Sequence, residues 1–385
     1  MKILILYQDI PGGTKNATEA IITSLKKNYP QHTFYIYKQK DKLFSGPLQY
    51  TRHLLWSVWD FYRVLTSFKN KKLDVVYFTI YSAILFRPIL TSSIKKTKFF
   101  FHFHGNQEFV DELEIESQRS WLGKQYKYLL GKLVNNLQKY ALHQSNIVCF
   151  VSTEAKNIFI KKHDLDDINH KIRVIPNGVD TKTFFPAENK KTVRALKSKI
   201  LQTTHKVILF AGRIDEKKGI TQLIKAFSLL LKKHPKCLLV IAHPPLREKQ
   251  SFSYYEKISE LINHLHLTKK IVLIDSYEPI RHLYWIADTV VLPSEREYCS
   301  LVLLEAFACG IPFIGSDVGF APEFLTKVNK KLITSGNAPA ALLKALDWFF
   351  SLNSVQRQAI SKTGKKEVAT FTWDHVSQSI IGNFN

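Results

Sequence analysis

Two carboxylates stand in one short apolar stretch of the sequence. Segment 295–312 reads EREYCSLVLLEAFACGIP and places Glu297 and Glu305 eight positions apart. A carboxylate accepts several hydrogen bonds, so Glu305 suits the two hydroxyls of a diol. Two carboxylates flanking a sugar bond would instead indicate a glycosidase, and a solvated helix residue is the simpler interpretation of Glu305 taken alone.

The apolar run itself predicts a short buried helix over 301–309. Ser300 fits the N-cap of this helix, and Gly310 fits the position just past its end. The first amides of a helix lack helical partners and attract anions, which here applies to Leu301 and Val302. The start of this helix is therefore a predicted phosphate site.

A second cationic segment, FAGRIDEKKGI, follows another apolar strand pattern. Gly212 lets the backbone come close to a ligand, and Arg213 can hold a phosphate through two parallel hydrogen bonds. Lys218 adds a point charge just before the next helix. Surface arginines and lysines are more often simply solvated, so the interpretation depends on other signals nearby.

A glycine pair separates the first predicted strand from the first predicted helix. The stretch YQDIPGGTKNATEA contains Gly12 and Gly13 after Pro11. Such a turn permits close approach to a phosphate, but it lacks the full spacing of a dinucleotide-binding fingerprint.

Two histidines end the strand pattern KFFFHFH. His102 and His104 lie two positions apart and share one side of the strand. A metal would need a third ligand, and the sequence offers none at a suitable spacing. A satisfied core histidine is the more common outcome at such a position, and we predict no metal site.

These residues must be positioned by alternating strands and helices. Runs such as KILILY, DVVYFTIY, NIVCFVS, KVILFAG, CLLVIAH and TVVLPS alternate with helical patterns, which indicates parallel sheets built from βαβ units. The polar, basic stretch 181–205 predicts a boundary between two doubly wound α/β domains, 1–186 and 187–372. We expect a C-terminal helix at 373–385 to pack back on the first domain. Ligands bind at the carboxyl ends of such strands, and two facing domains would form a cleft.

Composition narrows the class of partner. The 385 residues include 55 Lys and Arg against 32 Asp and Glu, so the chain attracts anions. No arginine-rich arm or interleaved stacking motif accompanies this charge, so we predict no nucleic-acid partner. The four cysteines lie in apolar runs and fit reduced core residues of a cytoplasmic protein, and no apolar run reaches the 18 residues of a membrane span.

Taken together, the motifs resemble the retaining glycosyltransferases of group 1, family 4, which have the GT-B fold. The resemblance extends from PGG and HFHG through VIPNGVDTKTFFP, ILFAGRIDEKKGI and ADTVVLPSEREYCSLVLLEAFACGIPFIGSDVGFAPE to FTWDHVSQSI. The pair of glutamates eight positions apart, followed by AFACGIP, is the most specific of these motifs. Two segments depart from the family pattern, LVIAHPPLREK and LIDSYEP, and both lie near the base-binding region of the family.

The resemblance implies roles for the residues singled out above. Arg213 and Lys218 would hold the donor diphosphate and Glu305 the ribose, while Glu297 and His104 would lie beside the transferred sugar. The predicted catalytic residues are Glu297, His104, Arg213 and Lys218, and the predicted donor-binding residues are Gly12, Gly13, Arg213, Lys218, Ser300, Leu301, Val302 and Glu305.

The resulting prediction is a metal-independent transfer of a sugar, with retention, from a nucleotide diphosphate sugar to a hydroxyl acceptor. We expect no separate cofactor. A saccharide or lipid-linked acceptor would place the enzyme in cell-envelope polysaccharide or glycolipid synthesis. A sugar-nucleotide epimerase or phosphorylase of similar fold, or a non-catalytic basic binding protein, remains the alternative.

Segment 48–68, LQYTRHLLWSVWDFYRVLTSF, predicts an amphipathic helix. Its polar stripe comprises Gln49, Arg52, His53, Ser57, Asp60, Arg63 and Ser67, and its apolar surface comprises Trp56, Trp59, Phe61, Tyr62, Leu65 and Phe68. Residues 1–100 contain 16 Lys and Arg against 5 Asp and Glu, which suits an anionic membrane surface. A buried core helix explains the apolar width equally well. The membrane interpretation predicts peripheral binding to the inner face of the cell membrane.

Overall fold

A computed structural model describes residues 1–9, 13–40, 49–68, 71–79, 97–104, 121–201, 205–246, 249–275 and 279–384. Contacts between residues divide the chain into two compact units. The N-terminal unit comprises Met1–Pro176 and Trp373–Asn385, and the C-terminal unit comprises Asn177–Thr372. The predicted boundary between residues 186 and 187 thus falls inside the C-terminal unit.

The described strands of the N-terminal unit form one parallel sheet. They are β1 (Lys2–Gln8), β2 (Thr33–Gln39), β3 (Val75–Phe78), β4 (Lys98–Phe103), β5 (Ile147–Phe150) and β6 (Ile172–Val174), in the order β2-β1-β3-β4-β5-β6. The strand β1 pairs with both β2 and β3, with Ile5 opposite Ile36 and Tyr77. Strands β1, β3 and β5 are almost entirely buried, as expected for parallel strands covered on both faces.

Helices connect these strands. They are α1 (Gly13–Asn28), α2 (Gln49–Ser67), α3 (Trp121–Gln144) and α4 (Thr153–His163). The cap of α4 shows why it begins where it does, because the Ser152 hydroxyl accepts a hydrogen bond of 3.2 Å from the amide of Ala155.

Helix α2 corrects the predicted amphipathic pattern. Asp60, assigned to a solvated polar stripe, is buried and accepts hydrogen bonds from Tyr37 and Gln39 of β2. Phe61, on the predicted apolar side of the helix, is 0% exposed, which agrees with the core-helix alternative at this position. The polar-stripe prediction was wrong at Asp60, because partners on β2 satisfy its carboxylate in the interior. The side chains of Gln49, Arg52, His53, Ser57 and Leu65 lie outside the described residues.

The described strands of the C-terminal unit form a second parallel sheet. They are β7 (Lys206–Ala211), β8 (Cys237–His243), β9 (Ile271–Asp275), β10 (Thr289–Leu292), β11 (Phe313–Ser316) and β12 (Ile333–Thr334), in the order β12-β11-β10-β7-β8-β9. This is the strand order of a dinucleotide-binding Rossmann sheet. Val207 and Ile208 at the centre of β7 are fully buried.

The helices of this unit are α5 (Lys190–Leu201), α6 (Ile220–Leu230), α7 (Lys249–His264), α8 (Arg281–Ile286), α9 (Leu301–Ala308), α10 (Ala321–Val328), α11 (Pro339–Ser351) and α12 (Ser354–Val368). The polar stretch 181–205 contains α5, in which no residue is fully buried. A helix with so little apolar surface is difficult to distinguish from a linker by pattern alone.

The chain then returns to the N-terminal unit as α13 (Trp373–Gly382). Asp374 accepts hydrogen bonds from Ser24, Lys27 and Asn28 of α1, at 2.7 to 2.8 Å. These donors, the Lys27 ammonium first, hold the pKa of the Asp374 carboxyl well below its usual range. Ile380 packs in the same core as the residues of β1 and α1. The C-terminal segment is therefore an integral layer of the N-terminal unit.

Within the described residues, every helix is too short or too polar to cross a bilayer.

Candidate functional site

The order of strands in the C-terminal sheet reverses direction between β7 and β10. The loops that follow these two strands therefore leave the same edge of the sheet side by side, which is where ligands bind in open α/β sheets. A backbone hydrogen bond of 2.8 Å from Glu295 to Lys217 ties the two loops together. The residues predicted to bind diphosphate lie on these loops.

The loop after β7 presents Arg213 and Lys218. The Asp215 carboxylate caps the following turn by accepting a hydrogen bond of 2.9 Å from the backbone amide of Lys217. The same carboxylate lies 3.7 Å from the Arg213 guanidinium. The Arg213 side chain is 43% exposed, so it is accessible to a ligand. The turn ends at Gly219, where φ is +69° and an added Cβ would lie 2.1 Å from the Pro293 carbonyl oxygen. Only glycine permits this close approach of the two loops.

The loop after β10 brings Glu297 to Lys218. The Lys218 Nζ lies 2.7 Å from Glu297 Oε2, and both side chains are about one fifth exposed, at 18% and 21%. The Ser294 hydroxyl lies 3.5 Å from the same carboxylate oxygen. The structure thus joins the cation predicted to bind diphosphate directly to the carboxylate predicted to lie beside the sugar.

Gly319 supports the Glu297 loop and was not predicted. Its φ is +63°, and an added Cβ would lie 2.4 Å from the carbonyl oxygen of Glu297 and 2.7 Å from that of Tyr298. The amide of Phe320 also donates to the Tyr298 carbonyl at 2.9 Å. A glycine soon after a strand is a weak signal by itself, and only its contact with the loop shows what it supports.

Asn177 and Cys299 form a second support that was not predicted. The backbone amide of Asn177 donates to Cys299 Sγ at 3.3 Å, and the side-chain Nδ2 of Asn177 donates to the Cys299 carbonyl at 3.0 Å. Both residues are buried. Cys299 was interpreted only as core packing, yet it anchors the loop between Glu297 and the next helix.

Helix α9 begins as predicted and ends at Ala308, one residue before the predicted end. The Ser300 hydroxyl accepts from the amide of Leu303 at 3.3 Å, and Gly310 adopts a φ of +76° just past the end. Leu301 and Val302 are partly exposed at the helix start. The first turn of α9 follows the β10 loop, and Lys218 lies on the neighbouring β7 loop. The same edge of the sheet therefore carries two kinds of anion-binding group, the helix amides and the Lys218 ammonium.

Glu305 lies one turn into α9 and contacts a residue that the sequence did not identify. The Tyr284 hydroxyl, on α8, donates to Glu305 Oε2 at 2.6 Å. Burial raises the pKa of the Glu305 carboxyl to about 7, and the Tyr284 hydrogen bond opposes this rise only in part. Glu305 is therefore neither a solvated surface residue nor a fully satisfied one.

Tyr284 is held by the segment that precedes α5. The Phe184 ring meets it edge-on at 5.8 Å, and Phe185 meets Trp285 at 5.4 Å. The Trp285 indole also donates to the Phe185 carbonyl at 2.6 Å. The motif TKTFFP, noted only as a family resemblance, thus packs against α8 and stabilises the position of Tyr284.

The predicted residues of the N-terminal unit are His104, Gly13 and Gly12. His104 is 8% exposed and its ring centre lies 4.0 Å from that of His102, which is fully buried and contacts the Tyr77 hydroxyl at 2.7 Å. Burial, together with His104, lowers the pKa of His102 well below its usual value, so His102 is neutral. Gly13 begins α1 with open space around its Cβ position, whereas Gly12 lies outside the described residues.

Within the described ranges, no group of three or more His, Cys, Asp or Glu side chains could hold a metal ion.

Two family models match consecutive parts of the sequence. Residues 12–183 match the model described as Glycosyltransferase Family 4, and residues 194–367 match the model described as glycosyl transferases group 1. The second match contains Arg213, Lys218, Glu297 and Glu305.

Curated relatives are similar in sequence to about half of this chain, at 27% and 28% identity. N-acetyl-alpha-D-glucosaminyl L-malate synthase from Bacillus anthracis is 27% identical over 193 residues, which make up 50% of this chain and 47% of that protein. D-inositol 3-phosphate glycosyltransferase from Corynebacterium jeikeium (strain K411) is 28% identical over 211 residues, 54% of this chain and 50% of that protein. The chain spans about half the length of these relatives.

Solved structures resemble the fold over nearly the whole chain. Sucrose-phosphate synthase from Thermosynechococcus elongatus has a TM-score of 0.77 at 18% identity, covering 99% of this chain and 97% of that one. Anabaena HepE in complex with UDP and glucose has a TM-score of 0.72 at 17% identity, covering 99% and 98%. At such identities the likeness concerns the fold alone.

Proposed function

Since the chain belongs to the group 1, family 4 glycosyltransferases and has their GT-B fold, we propose that it transfers a sugar from a nucleoside diphosphate sugar to a hydroxyl acceptor. The configuration at the anomeric carbon is retained. The bond between that carbon and the diphosphate oxygen breaks with its electron pair on the oxygen. The oxygen of the acceptor hydroxyl forms the new bond to the carbon, and the proton of that hydroxyl passes to the departing diphosphate.

The observation that carries this proposal is the joining of the β7 and β10 loops at one edge of the C-terminal sheet. These loops present Arg213, Lys218 and the start of α9, with Glu305 one turn further along. A diphosphate between the cations and the helix amides would bring an attached ribose toward Glu305. Fixed donors of this kind stabilise negative charge as it develops on a leaving group, because they need no rearrangement during the reaction.

The Lys218–Glu297 contact suggests how the two halves of the donor are recognised. The Lys218 ammonium can donate hydrogen bonds to a phosphate of the donor while it keeps its contact with Glu297. This shared ammonium would hold the Glu297 carboxylate beside the sugar end of the donor. Arg213 and Lys218 supply the positive charge that a divalent cation supplies in other transferases. Turnover in the presence of a chelator tests this part of the proposal.

Acceptor binding belongs in this proposal to the N-terminal unit. In this proposal His104, Gly12 and Gly13 keep the roles that the family resemblance implies for them in sugar and donor binding. A saccharide or lipid-linked acceptor then makes the product part of a cell-envelope polysaccharide or a glycolipid. The solved Anabaena relative was obtained with UDP, so UDP-sugars are the first donors to test.

Surface features of α2 support a peripheral position on the inner face of the membrane. Leu55, Trp59 and Tyr62 are exposed at spacings of four and three, so they share one helix face. The Arg63 guanidinium lies 5.5 Å from the Trp59 ring centre. Aromatic and basic groups side by side suit the headgroup region of an anionic leaflet.

A panel of UDP-, GDP- and ADP-sugars tests the proposed reaction. The expected result is a rise in melting temperature and slow release of nucleoside diphosphate with one of the donors, and the configuration of a transferred sugar is then read by NMR. Isomerised nucleotide sugar without release would indicate an epimerase, and consumption of inorganic phosphate would indicate a phosphorylase. A protein that binds none of the panel contradicts the proposal and favours the non-catalytic alternative.

A further inference from the structure

The contact between Tyr284 and Glu305 is buried on the tyrosine side and uses only one of the two carboxylate oxygens of Glu305. The Tyr284 side chain is 0% exposed, yet its hydroxyl lies 2.6 Å from Glu305 Oε2. In the part of the chain that the structure describes, Glu305 Oε1 accepts no hydrogen bond, while the residue keeps some exposed surface. One carboxylate oxygen is thus fixed from inside and the other remains for a ligand.

We propose that Tyr284 is a positioning residue for the nucleoside, which fixes Glu305 Oε2 so that Glu305 Oε1 receives the hydroxyls of the ribose. The proposal rests on the proposed function, because it needs a nucleoside diphosphate donor. It assigns Tyr284, on α8, to a site whose other residues lie on the loops after β7 and β10.

The physical argument concerns the freedom of a carboxylate on a helix. A glutamate side chain has several accessible rotamers, and ordering it on binding costs conformational entropy. A hydrogen bond from a rigid buried phenol selects one of these rotamers before the ligand arrives. The phenol is itself held by the Phe184 ring at 5.8 Å, and burial and Glu305 raise its pKa well above the usual value, so it stays a donor.

Tyr284→Phe tests the proposal because it removes the hydroxyl and keeps the ring. The probes are UDP, GDP and ADP, each compared with its 2′,3′-dideoxy counterpart by calorimetry. We expect the variant to bind the ribonucleotide about tenfold more weakly and to leave the affinity for the dideoxy nucleotide unchanged. The preference for ribose then narrows by the same factor.

Tyr7→Phe is the matched control. Tyr7 is also buried and donates to a glutamate, Glu19 Oε1, at 3.2 Å, but it lies in the N-terminal unit. The ratio of ribonucleotide to dideoxy affinity should not change in this variant. Where Tyr284→Phe does not fold, Phe184→Leu replaces it, since it keeps the hydroxyl but loosens the ring, and a narrowed preference for ribose is again expected.

The outcomes separate this inference from the proposed function. Wild-type protein that binds none of the three nucleotides overturns both. If the wild-type protein binds the ribonucleotides and their dideoxy counterparts equally well, Glu305 does not bind the ribose hydroxyls and the inference is overturned. An unchanged ratio in Tyr284→Phe, with wild-type discrimination intact, overturns the role of Tyr284 alone.

A second readout needs no ligand. The hydrogen bond from Tyr284 lowers the pKa of Glu305 relative to burial alone. In Tyr284→Phe the titration of Glu305, followed by infrared spectroscopy of the carboxyl group, should therefore move upward from its wild-type midpoint. A midpoint that stays in place would show that the phenol does not fix the carboxylate.

Discussion

The Lys218 ammonium lies 2.7 Å from the Glu297 carboxylate, although the two residues are 79 positions apart in the sequence. The pair spans the two loops that follow β7 and β10, and it links the predicted phosphate-binding and sugar-binding ends of the site. A substitution at either residue should therefore also change the position of the other side chain.

Lys218→Ala and Arg213→Ala should each reduce turnover strongly with little loss of stability. Removing a fixed donor from a developing charge costs roughly 3 to 4 kcal/mol of transition-state stabilisation, or about 100- to 1,000-fold in rate. A partly exposed ion pair contributes only about 1 kcal/mol or less to folding. Lys225→Ala, an exposed lysine on α6, is the control. Turnover and chemical denaturation measured together check the prediction, and near-normal transfer in the double variant of Arg213 and Lys218 contradicts it.

Glu305→Gln and Glu297→Gln should separate donor affinity from the transfer step. The amide at position 305 accepts fewer hydrogen bonds from a diol than a carboxylate does, so nucleoside diphosphate should bind more weakly. The change at position 297 should lower kcat with a smaller effect on nucleotide affinity. Calorimetry with UDP and steady-state kinetics measure the two effects. Equal, unchanged affinities in both variants would remove the ribose role from Glu305.

The raised pKa of Glu305 predicts opposite pH trends for stability and for nucleotide binding. Because the folded pKa is about 7, above the ordinary value of 4.5, the folded protein binds the proton more tightly than the unfolded chain. The wild type should therefore lose stability relative to Glu305→Gln as pH rises from about 4.5 to 7, by up to about 3 kcal/mol.

Nucleotide affinity should rise over the upper part of the same range, because only the ionised carboxylate accepts from both ribose hydroxyls. Two neighbours, Tyr284 and Cys309, have pKa values raised by burial and stay protonated throughout. Urea denaturation and calorimetry at intervals from pH 4.5 to 8 measure both trends. Parallel stability curves for the wild type and Glu305→Gln would show that the carboxyl titrates normally.

Gly319→Ala should damage both stability and turnover, whereas Gly336→Ala should cost much less. Both glycines have positive φ, +63° and +68°, so both substitutions carry backbone strain of about 1 to 2 kcal/mol. Only at Gly319 would the new Cβ meet backbone oxygens, those of Glu297 and Tyr298 at 2.4 and 2.7 Å. Thermal unfolding and turnover of the two variants test the difference. Equal behaviour would mean that the Glu297 loop adapts freely.

Trp59→Ala with Tyr62→Ala should weaken binding to anionic vesicles. These two side chains are 58% and 40% exposed, so their loss should leave the fold intact. Sedimentation with phosphatidylglycerol vesicles at low and high salt measures the effect, and Val355→Ala, an apolar residue 71% exposed on α12, is the control. Each basic residue near an anionic leaflet contributes about 1 kcal/mol, so salt should reduce binding of the wild type. Binding that ignores both lipid charge and salt would favour a soluble acceptor.

The sequence by itself determined the features that depend on neighbouring residues. The apolar runs predicted most of the strands, Ser300 and Gly310 predicted the ends of α9, and the glutamate spacing pointed to a donor site. These signals are local, because caps, turns and strand patterns are set by side chains a few positions apart. The sequence analysis did not identify β2 or α5, and it assigned Asp60 to the polar stripe of α2, although Asp60 is buried.

Tertiary structure alone decided which residues hold the site together. Tyr284 reaches Glu305 from another helix, Asn177 anchors Cys299 across 122 positions, and Gly319 supports Glu297. Such contacts follow from the order of strands, since parallel crossovers place β10 beside β7 although three helices and two strands separate them in the chain. A local pattern carries no information about which strand becomes a neighbour, because that order minimises the exposed apolar surface of the whole sheet and its helices.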